Sequence, residues 1–158
     1  MFRHTCLPLF AALAFSLPVQ AADVPYPEGY RSWTHVKSMA ILPGHPLHES
    51  FGGIHHLYAN AKAVQGYRTG QFKDGSVIVF DLLEADTRDA ALNEGARKAV
   101  AVMRRDAKRY AATGGWGFEG FAAGDPTRRM AGANAKEACF ACHAPHADTS
   151  YVFSTWRE

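Results

Sequence analysis

Apolar and polar positions alternate with period two in several short runs along this chain, and one longer stretch repeats at a helical period. Tyr30 to Leu42, with Trp33, His35, Val36 and Met39, reads as a first strand that Pro43-Gly44-His45-Pro46 breaks. Ile54 to Tyr58 is a second run of β formers, and Asn60 is placed to cap a short helix from Ala61 to Tyr67. Lys73-Asp74-Gly75 signals a turn into Ser76 to Leu83, the strongest strand pattern in the chain. Between Asp86 and Ala112, Leu92, Ala96, Ala99, Met103 and Tyr110 recur at helical spacing with Arg and Lys opposite, which predicts an amphipathic helix stopped by Gly114-Gly115. Trp116 to Phe121 alternates again, Asp125-Pro126 opens a helical region that includes Ala133 to Ala141, and Tyr151 to Trp156 is expected to close the fold as a strand. The predicted class is α+β: mainly an antiparallel sheet with packed helices and a functional C-terminal helix. A four-helix bundle, which needs four long helical repeats, is excluded.

The N-terminus is set apart from this pattern. Arg3 and His4 precede an apolar stretch from Leu7 to Leu17, and Val19-Gln20-Ala21-Ala22 ends in small residues. Residues 1–22 therefore read as an export signal cleaved after Ala21 or Ala22, leaving 23–158 as one periplasmic domain. The stretch is interrupted by Pro8 and Pro18 and is shorter than the about 20 apolar residues of a membrane span. Seventeen Lys and Arg against fifteen Asp and Glu give a formal charge of +2, which argues against a nucleic-acid partner. With 47% hydrophobic residues the chain has ample material for a core, so a disordered tail is excluded.

Three cysteines are present, and Cys6 leaves with the signal. The remaining pair forms Cys139-Phe140-Ala141-Cys142-His143, a C-x-x-C-H motif. On a helical turn both thiols reach the two vinyl groups of one haem, and His143 follows as the iron ligand. One covalent haem c through Cys139 and Cys142 is the expected cofactor. A thioredoxin-like pair lacks a βαβ context here, and half a zinc site lacks a second ligand pair. Fifteen residues follow His143 and none is Met, so a sixth iron ligand would have to come from Met39, Met103, Met130 or an upstream histidine. The expectation is a five-coordinate haem with an open distal face, suited to ligand binding.

Three blocks in order carry a resemblance: Thr69 to Val79, Asp106 to Tyr110 leading into Gly115-Trp116, and Glu137 to His143 with Val152-Phe153. Together they resemble the cytochrome P-460 family, closest to its cytochrome c′-beta type. The resemblance implies a periplasmic mono-haem homodimer with a largely antiparallel fold and a five-coordinate haem. In hydroxylamine-oxidising members a lysine at the end of the strand after the Asp-Gly turn is joined to the macrocycle. That position is Phe80 here, and phenylalanines over the iron face are what the c′-beta members use to favour NO and CO.

Phe51, Phe72 and Phe80 are therefore the expected apolar cap, which would disfavour charged ligands because an unpaired buried charge is costly. His55 is the candidate distal residue, able to donate to a bound ligand, relay a proton or ligate iron. Glu119 and Asp125 are candidate carboxylate bases. The group His45, His48, His55 and His56 raises a second metal site without regular ligand spacing. Two further functions remain open: oxidation of hydroxylamine or NO, with an accepting cytochrome as partner, and plain electron transfer.

Overall fold

A computed structural model describes residues 24–157; the expected export signal, residues 1–22, and Cys6 within it lie outside them. Five strands form one antiparallel sheet in sequence order: β1 (Thr34–Ile41), β2 (Gly53–Ala59), β3 (Val77–Arg88), β4 (Ala91–Arg105) and β5 (Trp116–Ala122). Helix α1 (His48–Phe51) precedes β2, and α2 (Ala61–Thr69) joins β2 to β3. The C-terminal part is helical in four short pieces: a 3₁₀ turn at Gly132–Asn134, a π-helix at Lys136–Phe140, α3 (Ala141–His143) and a 3₁₀ stretch at Ala144–Thr149. The expected α+β class with a C-terminal helix is what the chain adopts. Among the described residues no helix is long and apolar enough to cross a membrane.

Asn60 does more than cap. Its Oδ1 accepts from the Ala63 amide at 2.9 Å and from the Val77 amide at 3.1 Å, while its Nδ2 donates to the Gly75 carbonyl at 2.9 Å. One side chain thus fixes the start of α2 against the start of β3, and loss of such a cap costs about 1 kcal/mol from the helix terminus alone.

Residues directly opposite in antiparallel strands share a face, so the ladder registers define two surfaces. The front face carries the rows His55–Leu82–Ala99–Ala122, Leu57–Phe80–Ala101–Gly120 and Ala59–Ile78–Met103–Phe118. The back face carries His56–Asp81–Val100–Phe121 and Tyr58–Val79–Val102–Glu119. Each face has its own core. Val24, Tyr30, Val79, Val100, Val102 and Phe121 pack behind, and Val36, Ala63, Ile78, Trp116, Phe118 and Val152 pack in front, beneath α2 and the C-terminal segment.

Two expected elements take another form. The segment 86–112 is not a helix: β3 runs on to Arg88, Asp89 and Ala90 turn with φ of 53° and 58°, and β4 returns from Ala91. Ala99-Val100-Ala101-Val102-Met103 is apolar on both faces, with Val100 and Val102 buried behind and Ala99, Ala101 and Met103 half-buried in front, so the period-two signal is absent from the sequence and alanines at helical spacing take over the pattern. The turn also lacks the Asn-Gly or Asp-Gly pair that marks a two-residue hairpin. Tyr151 to Trp156 joins no ladder. It lies over the front core, where Val152 is buried, the Ser154 and Tyr67 hydroxyls are 2.7 Å apart, and Trp156 packs beside Tyr67. The first strand is shorter than its pattern, because Tyr30–Ser32 forms a 3₁₀ turn. After Asp125-Pro126 the chain first bridges back from Arg129 to Phe121, and helix begins at Gly132.

Candidate haem site

Cys139 and Cys142 are both free thiols on the C-terminal helical run, with Cys139 half-buried against the front core and Cys142 exposed. The π-type winding over Lys136–Phe140 sits at the first cysteine, a distortion that recurs at functional sites. His143 is half-buried. Its Nδ1 lies 2.8 Å from the Tyr151 carbonyl, which can only accept, so the proton sits on Nδ1 and the Nε2 lone pair is free to ligate. Burial lowers the pKa of His143 and the Tyr151 contact partly offsets this, so the ring is neutral at pH 7.

The carbonyl is aimed by a strained turn. Ser150 and Tyr151 hold φ of 56° and 64°, unusual for non-glycine residues. The buried Trp116 donates from Nε1 to the Ser150 carbonyl at 2.9 Å, and the Tyr151 amide donates to His146 at 2.7 Å, which holds that turn in place. A side chain at Gly114 would collide with the Tyr151 ring, and Gly114 itself has a φ of 63° that favours glycine. Phe118 and Phe153 flank the His143 ring at 4.9 and 4.3 Å between centroids.

The front face beside this motif is apolar and shallow. Ala99, Ala101, Gly120 and Ala122 form a floor of small side chains on β4 and β5, and a Cβ at Gly120 would meet Met130 at 3.2 Å. Large apolar side chains stand exposed around it: Met39 in register with His55, Phe51, Met130, and Phe153 against His143. Such a patch next to two thiols and an available imidazole is the surface a flat apolar macrocycle would cover. Phe80 and Phe51 meet edge to face at 6.0 Å, and His55 stacks on Phe80 at 4.4 Å. His55 is 4% exposed, its Nδ1 has no hydrogen-bond partner, and its pKa falls to about 4, through burial first and the neighbouring His56 second. It is therefore neutral at pH 7. The residues present fit a haem held by Cys139, Cys142 and His143.

The other expected residues are distributed differently. Phe72 packs on Trp116 at 5.5 Å and Tyr67 at 5.2 Å, and no ring contact among the described residues joins it to Phe51 or Phe80. Glu119 lies on the back face in register with Val102. Its carboxylate accepts from the amides of Gly120, Ala131 and Gly132 and from Arg129 at 3.1 Å. Burial pushes its pKa up, but those donors outweigh it and hold it below the ordinary range. Asp125 closes a turn onto Thr127. Of the methionines, Met103 belongs to the front core, and Met39 and Met130 are exposed. Among the described residues no group of three or more metal-ligating side chains exists, so the four histidines do not form one centre; His45 Nδ1 accepts from the Leu47 amide. Sequence reasoning missed the Tyr151 carbonyl and the Trp116 anchor. A carbonyl has no residue signature, and a tryptophan reads as core before it reads as a donor.

A sheet whose one face carries a C-x-x-C-H helix, an oriented histidine and an apolar shelf defines a haem cytochrome outside the helical classes. The sequence model of the cytochrome P460 family matches residues 27–154, and the chain belongs to that family. A comparison with curated proteins returned no match.

Proposed function

We propose that this chain is an exported, periplasmic mono-haem c-type cytochrome of the c′-beta kind, five-coordinate through His143, that binds neutral diatomic gases such as NO and CO. The observation that carries the reading is the composition of the β3 front face: Ile78, Phe80 and Leu82, with no amine on the strand face where a cross-linking lysine would stand. A bound haem iron supplies an open coordination position. The chain's residues do the rest. Cys139 and Cys142 anchor the group as thioethers, and the Tyr151 carbonyl holds His143 in the tautomer that presents Nε2.

Phe51 and Phe80 keep water from the ligand side and make a charged ligand costly there. His55 places a neutral imidazole in that apolar wall, where its unpartnered nitrogen can meet the polar end of a bound diatomic. Glu119, with its lone pairs taken by backbone amides and Arg129, acts as a positioning residue for the segment leading into the haem helix rather than as a base. The long β3–β4 hairpin and the remaining back surface are available for the homodimer that the family resemblance implies.

The test is the visible spectrum of the reduced, haem-loaded protein with and without CO. A high-spin c-type Soret band that shifts with CO supports the reading. A strongly red-shifted band before CO addition would instead support a modified macrocycle and hydroxylamine oxidation, and a low-spin spectrum indifferent to CO would support electron transfer.

A further inference from the structure

On the back face, away from the haem motif, β1 does something its sequence alone does not announce. The ladder to β2 shifts between His35 and Lys37, so His35 pairs with Tyr58 while Ser38 pairs with His56. Residues three apart in a regular strand face opposite ways; this bulge brings His35 and Ser38 to the same side. Val36 turns to the front core, and Lys37 reaches Thr155 on the C-terminal segment at 2.9 Å.

The result is a convergence. His35 Nε2 lies 2.9 Å and His56 Nδ1 2.6 Å from the same atom, the Ser38 hydroxyl. From the opposite side of the His56 ring, Glu94 on β4 approaches Nε2 at 2.6 Å. Glu94 can only accept, so Nε2 carries the proton and the His56 Nδ1 lone pair faces the Ser38 hydroxyl, the atom that His35 Nε2 also approaches. The ring centroids of His35 and His56 are 5.7 Å apart. Two imidazoles bound to one ion at metal–nitrogen distances of about 2.0–2.1 Å, with a tetrahedral to trigonal angle, have centroids roughly 5–6 Å apart. The pair opens onto a cleft of about 460 Å³, whose two arginines, Arg31 and Arg97, are matched in charge by Asp81 and Glu94.

We propose that His35 and His56 form a site for a divalent transition-metal ion, with Ser38 at its mouth and Glu94 as the carboxylate that orients His56. A carboxylate behind a ligating histidine is the usual outer partner of such sites. Among the described residues no third His, Cys, Asp or Glu joins the pair, so water fills the remaining positions, and the site is open. Imidazole ligation with open positions favours the late first-row ions, Cu(II) most strongly.

The experiment uses the haem-loaded full chain titrated with Cu(II) against a competing chelator, with electron paramagnetic resonance as the second readout. One equivalent is expected, with hyperfine coupling to two nitrogens and no change in the haem spectrum. His35→Gln and His56→Gln, which keep a hydrogen-bonding side chain beside Ser38, should each weaken binding at least about tenfold, and Glu94→Gln about tenfold. Ser38→Ala, which leaves both rings in place, and His45→Gln should retain it. Absence of saturable uptake, binding unchanged in His35→Gln, loss of binding in Ser38→Ala, or loss in His45→Gln overturns the site and leaves the cluster a hydrogen-bonded tie between β1, β2 and β4.

Discussion

His55 and His56 are consecutive in β2, yet they live in different media. His55 faces forward, buried against Phe80 with an unpartnered nitrogen, while His56 faces back and has both ring nitrogens hydrogen-bonded. The same division runs through the whole sheet. The front shelf is built of small and aromatic side chains around two free thiols, and the corresponding rows behind hold Asp81 bound by Arg97 and Tyr30. On the back face the carboxylates of Asp81 and Glu119 have their hydrogen-bond partners within the fold. The front leaves donor atoms and apolar surface uncommitted, which is the condition for holding a prosthetic group.

The contrast breaks most completely at the cysteines. Replacing Cys139 and Cys142 together by alanine should abolish covalent haem, read as loss of the haem mass increment and of haem staining on a denaturing gel. On the other face, Asp81→Ala should destabilise the fold by about 3–5 kcal/mol, because it leaves the Arg97 guanidinium and the Tyr30 hydroxyl without their buried acceptor. Urea unfolding measures that loss, and the haem spectrum of the folded fraction should be unchanged. An altered spectrum would show that the faces are coupled.

Phe80→Leu keeps an apolar side chain and should cost about 1 kcal/mol of stability while changing CO or NO association several-fold. Unchanged rates would remove Phe80 from the ligand wall. His55 gives the smallest effect and the most diagnostic one. Its folded pKa, about 4, is below the 6.5 of a free imidazole, so as pH falls from about 6.5 towards 4 the unfolded chain takes up a proton that the folded chain does not. Wild type should therefore lose stability relative to His55→Phe across that window and not above it. Comparing urea midpoints of the two proteins at pH 7 and pH 5 checks the sign, and a constant difference would place His55 in contact with solvent.

Much of this was legible in the residues. The C-x-x-C-H motif is local chemistry, the Asn60 cap is local geometry, and Ser76 to Leu83 carries enough β-branched residues to declare a strand. Phe51, Phe80 and His55 meet in the fold, and period two with a short separation suffices to bring them together. Phe72 was grouped with them by residue type, and its ring went to Trp116 instead, because α2 carries the chain to the other end of the front face. Glu119 failed for a related reason: its facing depends on the register of β5 with β4, a pairing between segments far apart in sequence. The hairpin of β3 and β4 was hidden because apolar residues on both sides of β4 remove the sequence alternation that distinguishes strand from helix.

The sequence by itself determined what depends on neighbours along the chain: the C-x-x-C-H motif, the phenylalanine at position 80, and the alternating strands. Tertiary structure alone decided what depends on register and turns. A bulge at His35–Lys37 put His35, Ser38 and His56 together, and the Ser150–Tyr151 turn aimed a carbonyl at His143. A one-residue shift in pairing reverses every side chain on a strand, and a backbone carbonyl has the same identity in every residue, so neither outcome is written in the order of amino acids until the strands have paired.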